Sequence, residues 1–136
     1  MTVFVLDSSA VLRHIDGEAG VDRVEAIFQM SLMGFAEIQV SAVQWGEIAG
    51  KLRKRAGAQE QKGVLQNLLE INIKVVSASL ERAVRAAEIK VDRKIAYVDA
   101  FAIELAMDSP DHVLVTADYD FKEVADLAQI EFLPAK

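Results

Sequence analysis

Five short runs of apolar and β-branched residues punctuate the chain: Thr2–Leu6, Glu37–Val40, Ile73–Val76, His112–Thr116 and Ile130–Leu133. Each is nearly continuous in apolar side chains, the pattern of strands buried on both faces. Between them the apolar positions recur at three- and four-residue spacing, which predicts helices. Val21, Val24, Ile27, Phe28 and Leu32 form one stripe, and Gly34 follows where a helix commonly ends. Ser41 is placed to cap a helix carrying Trp45, Ile48, Ala49 and Leu52 on one side. Val64, Leu65, Leu68 and Leu69 mark another helix. Leu80, Ala83, Val84, Ala87 and Val91 mark the next, with Ser79 or Ser77 as its cap. The stretch Ala96–Met107 is apolar nearly all round and predicts a buried helix, and a short helix follows Asp118.

Strands alternating with helical crossovers predict an α/β fold with a parallel sheet. No repeat, low-complexity stretch or linker interrupts the pattern, so residues 1–136 are expected to form a single domain. In such sheets, functional groups collect beyond the carboxyl ends of the strands, at the point where strand order reverses. That rule points to Asp7, after the first run, and Asp118, after the fourth.

Composition narrows the classes. With 52% hydrophobic residues the chain can bury a sizeable core. The lack of cysteine excludes thiolate metal sites, thiol catalysis and disulfides. No apolar stretch reaches the roughly 18 residues that span a bilayer. The apolar run at the start is preceded by no basic segment and stops at Asp7, unlike a signal peptide. A cytoplasmic location, with no membrane partner, is expected. The formal net charge of −6 argues against nucleic acid as a partner on its face. Acids gathered round bound cations would reverse the local sign.

Four acids stand out by position. Asp7 ends an uncharged strand and precedes Ser8 and Ser9; it suits a helix cap as well as a ligand. Glu47 lies beside Val43, Gly46 and Gly50, off the Trp45/Ile48/Leu52 stripe. Asp99 sits in Tyr97-Val98-Asp99-Ala100-Phe101, where every near neighbour is apolar, so it needs a cation, a metal or strong donors, unless it only caps its helix. Asp118 and Asp120 follow the fourth run, with the Thr116 hydroxyl beside them; Asp120 is the expected cap of the short helix that follows. If the first and fourth strands are neighbours, these acids meet. Two carboxylates about 4 Å apart repel by about 4 kcal/mol at an effective dielectric near 20, so a cluster needs protons or divalent ions. Oxygen ligands alone suit Mg²⁺ or Mn²⁺ rather than zinc. His14 and His112 are expected in surface or capping roles.

Taken together, Val5-Leu6-Asp7-Ser8-Ser9-Ala10, Ser41-Ala42-Val43 leading to Glu47, Tyr97-Val98-Asp99-Ala100, and Thr116-Ala117-Asp118-Tyr119-Asp120-Phe121 resemble the PIN-domain ribonucleases, and more narrowly the VapC toxins. The likeness spans essentially the whole chain. It implies a three-layer α/β sandwich whose central five-stranded parallel sheet runs 3-2-1-4-5. It implies an endoribonuclease with catalytic, metal-holding acids at Asp7, Glu47, Asp99 and Asp118, supported by Thr116, Ser8 and Asp120. One or two Mg²⁺ or Mn²⁺ ions would lower the pKa of water for hydrolysis of an RNA phosphodiester. It further implies a cognate antitoxin that holds the toxin inactive, and a homodimer paired through apolar helices. Two positions depart from the family pattern: Ala117 stands where glycine is frequent, and Tyr119 where proline is common, which bears on substrate fit.

Lys51, Arg53, Lys54, Arg55 and Lys62 form a basic cluster after Glu47, placed either to grip RNA phosphates or to complement a helix end. Phe28, Met30, Met33 and Phe35 suit a partner surface or the core. A phosphorylated receiver module shares the layout but lacks its chemistry: Ser77-Ala78-Ser79 follows the third run and Pro134 the last, where an aspartate and a lysine are needed. An inactive PIN-like scaffold that binds RNA or protein, or an RNA-processing nuclease without a toxin role, are the other readings.

Overall fold

The computed structural model describes residues 1–136. Its elements run β1 (Thr2–Leu6), α1 (Ser8–Asp16), α2 (Val21–Leu32), β2 (Ala36–Ser41), α3 (Ala42–Glu70), β3 (Ile73–Val76), α4 (Leu80–Arg93), α5 (Tyr97–Ala106), β4 (His112–Thr116), a 3-10 helix (Tyr119–Val124) and β5 (Gln129–Phe132). All four strand pairings are parallel, and the order is β3-β2-β1-β4-β5. The three-layer architecture and strand order implied by the resemblance are those observed.

Alternation within the strands assigns the two faces. Phe4, Leu6, Ile38, Val40, Val113 and Val115 point to the side covered by α1, α2 and α3, where they meet Val11, Val24, Ile27, Ile48 and Leu52. Val5 and Leu114 point to the other side, against Ala102, Ile103, Leu105, Phe121 and Val124. Both faces are dry, which explains why the strands read as unbroken apolar runs. Fully burying side chains such as Ile27, Ile48 and Leu114 contributes about 1.5–3 kcal/mol each. A smaller cluster of Ala86, Ala100 and Phe101 joins α4 to α5. Beneath it the buried Glu104 accepts from Arg82 at 2.9 Å and from Arg85 at 2.8 Å.

Local chemistry sets the boundaries. Ser41 caps α3 through Val43 N, and Ser79 caps α4 through Arg82 N. The two helices expected after Ser41 form one run broken at Gly57, whose φ of 86° lies in the left-handed region. Beyond that break the chain folds back, and Gln61 Nε2 donates to Ala49 O at 2.9 Å. β2 is one residue longer at each end than expected, and β5 is displaced by one residue towards the N-terminus. Leu133 lies past β5 but is buried, and its N–H reaches Thr116 O at 2.8 Å.

Two expectations need correction. The 3-10 helix is capped by Asp118, whose Oδ1 accepts from Asp120 N at 2.9 Å, so Asp120 is not the cap. His112 is buried rather than a surface residue, because it shares with Leu114 the face of the sheet that α5 covers. His14 packs edge-on against Phe28, with ring centroids 4.7 Å apart. Of the four apolar side chains offered as surface, Phe28 is core and Met30 packs against it, whereas Met33 and Phe35 are exposed at the end of α2.

Candidate active site

Strand order reverses between β1 and β4, and the candidate acids gather around this point. Register pairs Leu6 with Val115, so the next residues along the two strands, Asp7 and Thr116, emerge side by side. Asp7 is 2% exposed and caps α1. Its Oδ1 accepts from Ala10 N at 3.0 Å and from Ser9 Oγ at 2.7 Å, and its Oδ2 accepts from Thr116 Oγ1 at 2.6 Å. Three donors favour the carboxylate form. Burial outweighs them, with the charge of Asp118 acting in the same direction, and lifts the Asp7 pKa to about 6.

Asp99 stands in the first turn of α5, beside the same hollow. Burial raises its pKa to about 6, and repulsion from Asp118, Asp7, Glu47 and Asp120 adds to that effect. Carboxylates from β1, α3, α5 and the turn after β4 therefore share one field. No protein donor is hydrogen-bonded to the Asp99 carboxylate, in contrast to the clamp on Asp7. Glu47, in the second turn of α3, accepts from Ser8 Oγ and lies 3.9 Å from Lys51 Nζ. Asp118 receives no side-chain donor; its own N–H donates to Thr116 Oγ1 at 2.9 Å. Thr116, wholly buried, thus links Asp118 to Asp7. Ser8 serves Glu47, while Asp120 contributes charge from the rim.

One residue, Gln44, escaped sequence reasoning, whereas Ser9 stands beside Asp7 in the sequence itself. Ser9 Oγ donates to Asp7 and accepts from Ala117 N at 2.9 Å, tying α1 to the turn after β4. Gln44 is 0% exposed and bridges three helix starts. Its Oε1 accepts from Ser8 N at 2.7 Å, and its Nε2 donates to Val98 O at 2.7 Å. It thereby fixes the backbone next to both Asp7 and Asp99. The available signal was spacing: Gln44, Ile48 and Leu52 recur every four residues, which puts an amide on the core stripe.

The basic cluster divides. Lys51 and Arg55 border a groove that also contains Ser9 and Asp118. Arg55 is bound to Asp16 at 2.7 and 3.1 Å, and Arg53 points to Gln61 at 3.5 Å. Lys54 is exposed; neither it, Arg53 nor Lys62 borders that groove.

A doubly covered parallel sheet with acids beside its switch point is an α/β protein whose candidate site lies where ligands bind in open sheets of this kind. The PIN-domain profile matches residues 4–127, and the chain belongs to that family. No curated protein matches it in sequence. Among solved structures it resembles VapBC2 from Rickettsia felis, bound to a DNA fragment from its promoter, with a TM-score of 0.74 at 13% identity over 98% of this chain and 100% of that one. It also resembles Mycobacterium tuberculosis VapC20, a sarcin-ricin loop cleaving toxin, with a TM-score of 0.71 at 18% identity over 98% and 100% of the two chains. DNA-bound VapBC from Salmonella typhimurium gives a TM-score of 0.71 at 16% identity over 96% and 98%. These likenesses are likenesses of fold.

Proposed function

We propose that this chain is a Mg²⁺- or Mn²⁺-dependent endoribonuclease and the toxin half of a VapBC-like toxin–antitoxin pair, acting in the cytoplasm. The observation that carries the reading is the hydrogen-bonded frame around Asp7, Glu47, Asp99 and Asp118: Thr116 joins Asp7 to Asp118, Ser8 reaches Glu47, and Gln44 ties the start of α1 to the first turn of α5, where Asp99 stands. The donor set is all oxygen, which suits a hard cation. No three of these acids close tightly enough to enclose an ion directly. Mg²⁺ keeps several waters and takes only one or two carboxylates, so the reading does not require a closed protein cage.

Asp7 and Asp99 are the primary holders of the ion in this reading, with Glu47 and Asp118 completing the shell directly or through water. Once bound, the ion supplies polarisation of water and of phosphate oxygens. The protein contributes position. Ser9, Thr116 and Ala10 N fix both oxygens of Asp7, and Ser8 fixes Glu47. Asp99, without a donor, is the acid best able to adjust to its occupant. Exposed Leu32, Met33 and Phe35 supply apolar surface for a protein partner, in this reading an antitoxin or a second copy.

The test is RNA cleavage with and without Mg²⁺ by wild type, Asp7→Asn and Asp99→Asn. The reading expects cleavage by wild type alone, abolished by EDTA. Equal cleavage by all three removes the mechanism. RNA binding without cleavage by any of them leaves a scaffold.

A further inference from the structure

A groove of about 500 Å³ opens beside the acidic hollow, between α1, the first half of α3 and the turn after β4. It shares Ser9 and Asp118 with the hollow, so a strand lying in it runs directly on from the carboxylates. Its wall carries four cations, Arg13, Lys51, Arg55 and Lys136, against three carboxylates, in a chain whose net charge is −6.

Arg13 is the fixed member. It is 8% exposed, yet it forms no ion pair. Its Nη1 donates to Ala19 O at 2.6 Å and to Pro134 O at 2.8 Å, while Nε and Nη2 have no acceptor in the protein. Nε and Nη2 are not enclosed, so they reach solvent, and an anion in the groove supplies the counter-charge that the protein does not. The two carbonyls hold the guanidinium still, so its remaining N–H groups form a preset fork for a phosphate. Lys51, Arg55 and Lys136 are instead paired with Glu47, Asp16 and Glu18 at the surface. The two lysine pairs are exposed and weak and exchange readily for phosphate, whereas the bidentate Arg55–Asp16 pair holds more firmly.

Tyr119 supplies the other half of a nucleotide. Its hydroxyl donates to Leu133 O at 2.8 Å, and its ring meets Phe132 edge-on at 5.5 Å. The ring is therefore held rigid while 40% of the residue stays exposed on the groove wall. A cation, Lys122 Nζ, lies over the ring 5.1 Å from its centroid. A fixed aromatic ring beside phosphate-binding cations is a stacking platform for an unpaired base.

We propose that this groove binds single-stranded RNA on one side of the scissile phosphate, with Arg13, Lys51 and Arg55 on the backbone and Tyr119 stacking the adjacent base. The proposal rests on the nuclease reading for its ligand and adds the path of the strand. It also gives a role to the residue standing where proline is common in the family. A duplex, whose bases are already stacked, does not satisfy Tyr119.

The test is fluorescence anisotropy of a labelled single-stranded RNA of about twelve nucleotides and mixed sequence, titrated with the full chain in EDTA at several KCl concentrations. Lys51→Gln and Arg55→Gln should each reduce the slope of log K against log[KCl] by about 0.7. Tyr119→Ala should weaken binding about tenfold, and Tyr119→Phe far less. Arg93→Gln, outside the groove, is the charge control. Arg13→Gln is read beside its melting temperature, and if it unfolds the three exposed-wall variants decide. Equal affinities and slopes for wild type and the Lys51, Arg55 and Tyr119 variants overturn the groove, even where wild type cuts the same RNA with Mg²⁺. Variants that lose binding sustain it, and failure of wild type to cut then counts against the nuclease reading alone. Equally tight, Tyr119-dependent binding of duplex RNA contradicts the single-strand assignment.

Discussion

The hydroxyl of Thr116 donates to Asp7 Oδ2 at 2.6 Å, joining two strand ends that lie 109 residues apart in sequence. This bond is the shortest route by which β4 controls the chemistry of β1. It favours the ionised form of a carboxylate that burial drives towards protonation.

Thr116→Val keeps the shape and removes the donor. The Asp7 pKa should then rise beyond about 6, and the acid limb of the pH–rate profile should move to higher pH. Loss of such an orienting partner typically costs about 10–100-fold in activity or metal affinity. Thr116→Ser should restore both the profile and the rate. An unchanged acid limb in Thr116→Val would show that the bond is merely structural.

Stability without metal should depend on pH in an unusual direction. The folded pKa values of Asp7 and Asp99 are raised from 3.8 to about 6, so the folded state binds more protons between those limits. The buried Asp7 therefore removes stability as pH rises from about 4 to 6, by an amount on the order of 1–3 kcal/mol, and the half-buried Asp99 acts in the same direction but less, because solvent screens it. Carboxylates held low by arginine, Asp108 and Asp126, act oppositely, and their contribution disappears only at more acidic pH. Denaturant titrations in EDTA should show wild type losing stability over that window relative to Asp7→Asn and Asp99→Asn. Parallel curves for the three proteins would refute the electrostatic picture of the hollow.

Gln44→Leu should preserve volume while leaving Ser8 N unpaired in the interior and removing the tie to Val98 O, which keeps its helical bond within α5. A buried orphan of this kind costs about 1–3 kcal/mol. Urea unfolding should register that loss, and activity should fall at temperatures where the variant remains folded, because the backbone beside Asp7 and Asp99 is released. Wild-type activity in the folded variant would show that Gln44 only supports the fold.

Arg82→Met provides the opposite control. Glu104 is 3% exposed and draws on Arg82 and Arg85 together, and Arg82 also grips Asp108. Removing one partner of a buried carboxylate costs about 3 kcal/mol. The melting temperature should drop while cleavage below it is unchanged, since this network lies outside the acidic hollow.

Much of this organisation was legible in the sequence because doubly buried strands leave unbroken apolar runs. Thr2–Leu6 and His112–Thr116 were placed to the residue for that reason. Asp7 and Asp118 followed from the switch-point rule, and Asp99 from a charge without polar neighbours. What could not be read were contacts that depend on three-dimensional neighbours. Ser8 and Ser9 are equivalent in sequence, yet one serves Glu47 and the other Asp7, because successive residues at a helix start face different directions. Gln44 has no neighbour in sequence that announces its role, because the acceptor for its Nε2 comes from α5, 54 residues away. The basic run after Glu47 hid a division imposed by helical geometry: Lys51 and Arg55, four residues apart, share a face that Arg53 and Lys54 do not.

The most direct test of the central claim is Mn²⁺ binding followed by electron paramagnetic resonance at about pH 7.5 on wild type, Asp7→Asn and Asp99→Asn. The four-acid hollow predicts one or two bound ions in wild type and at least about tenfold weaker binding in either variant. Binding of the same strength in all three proteins would contradict it.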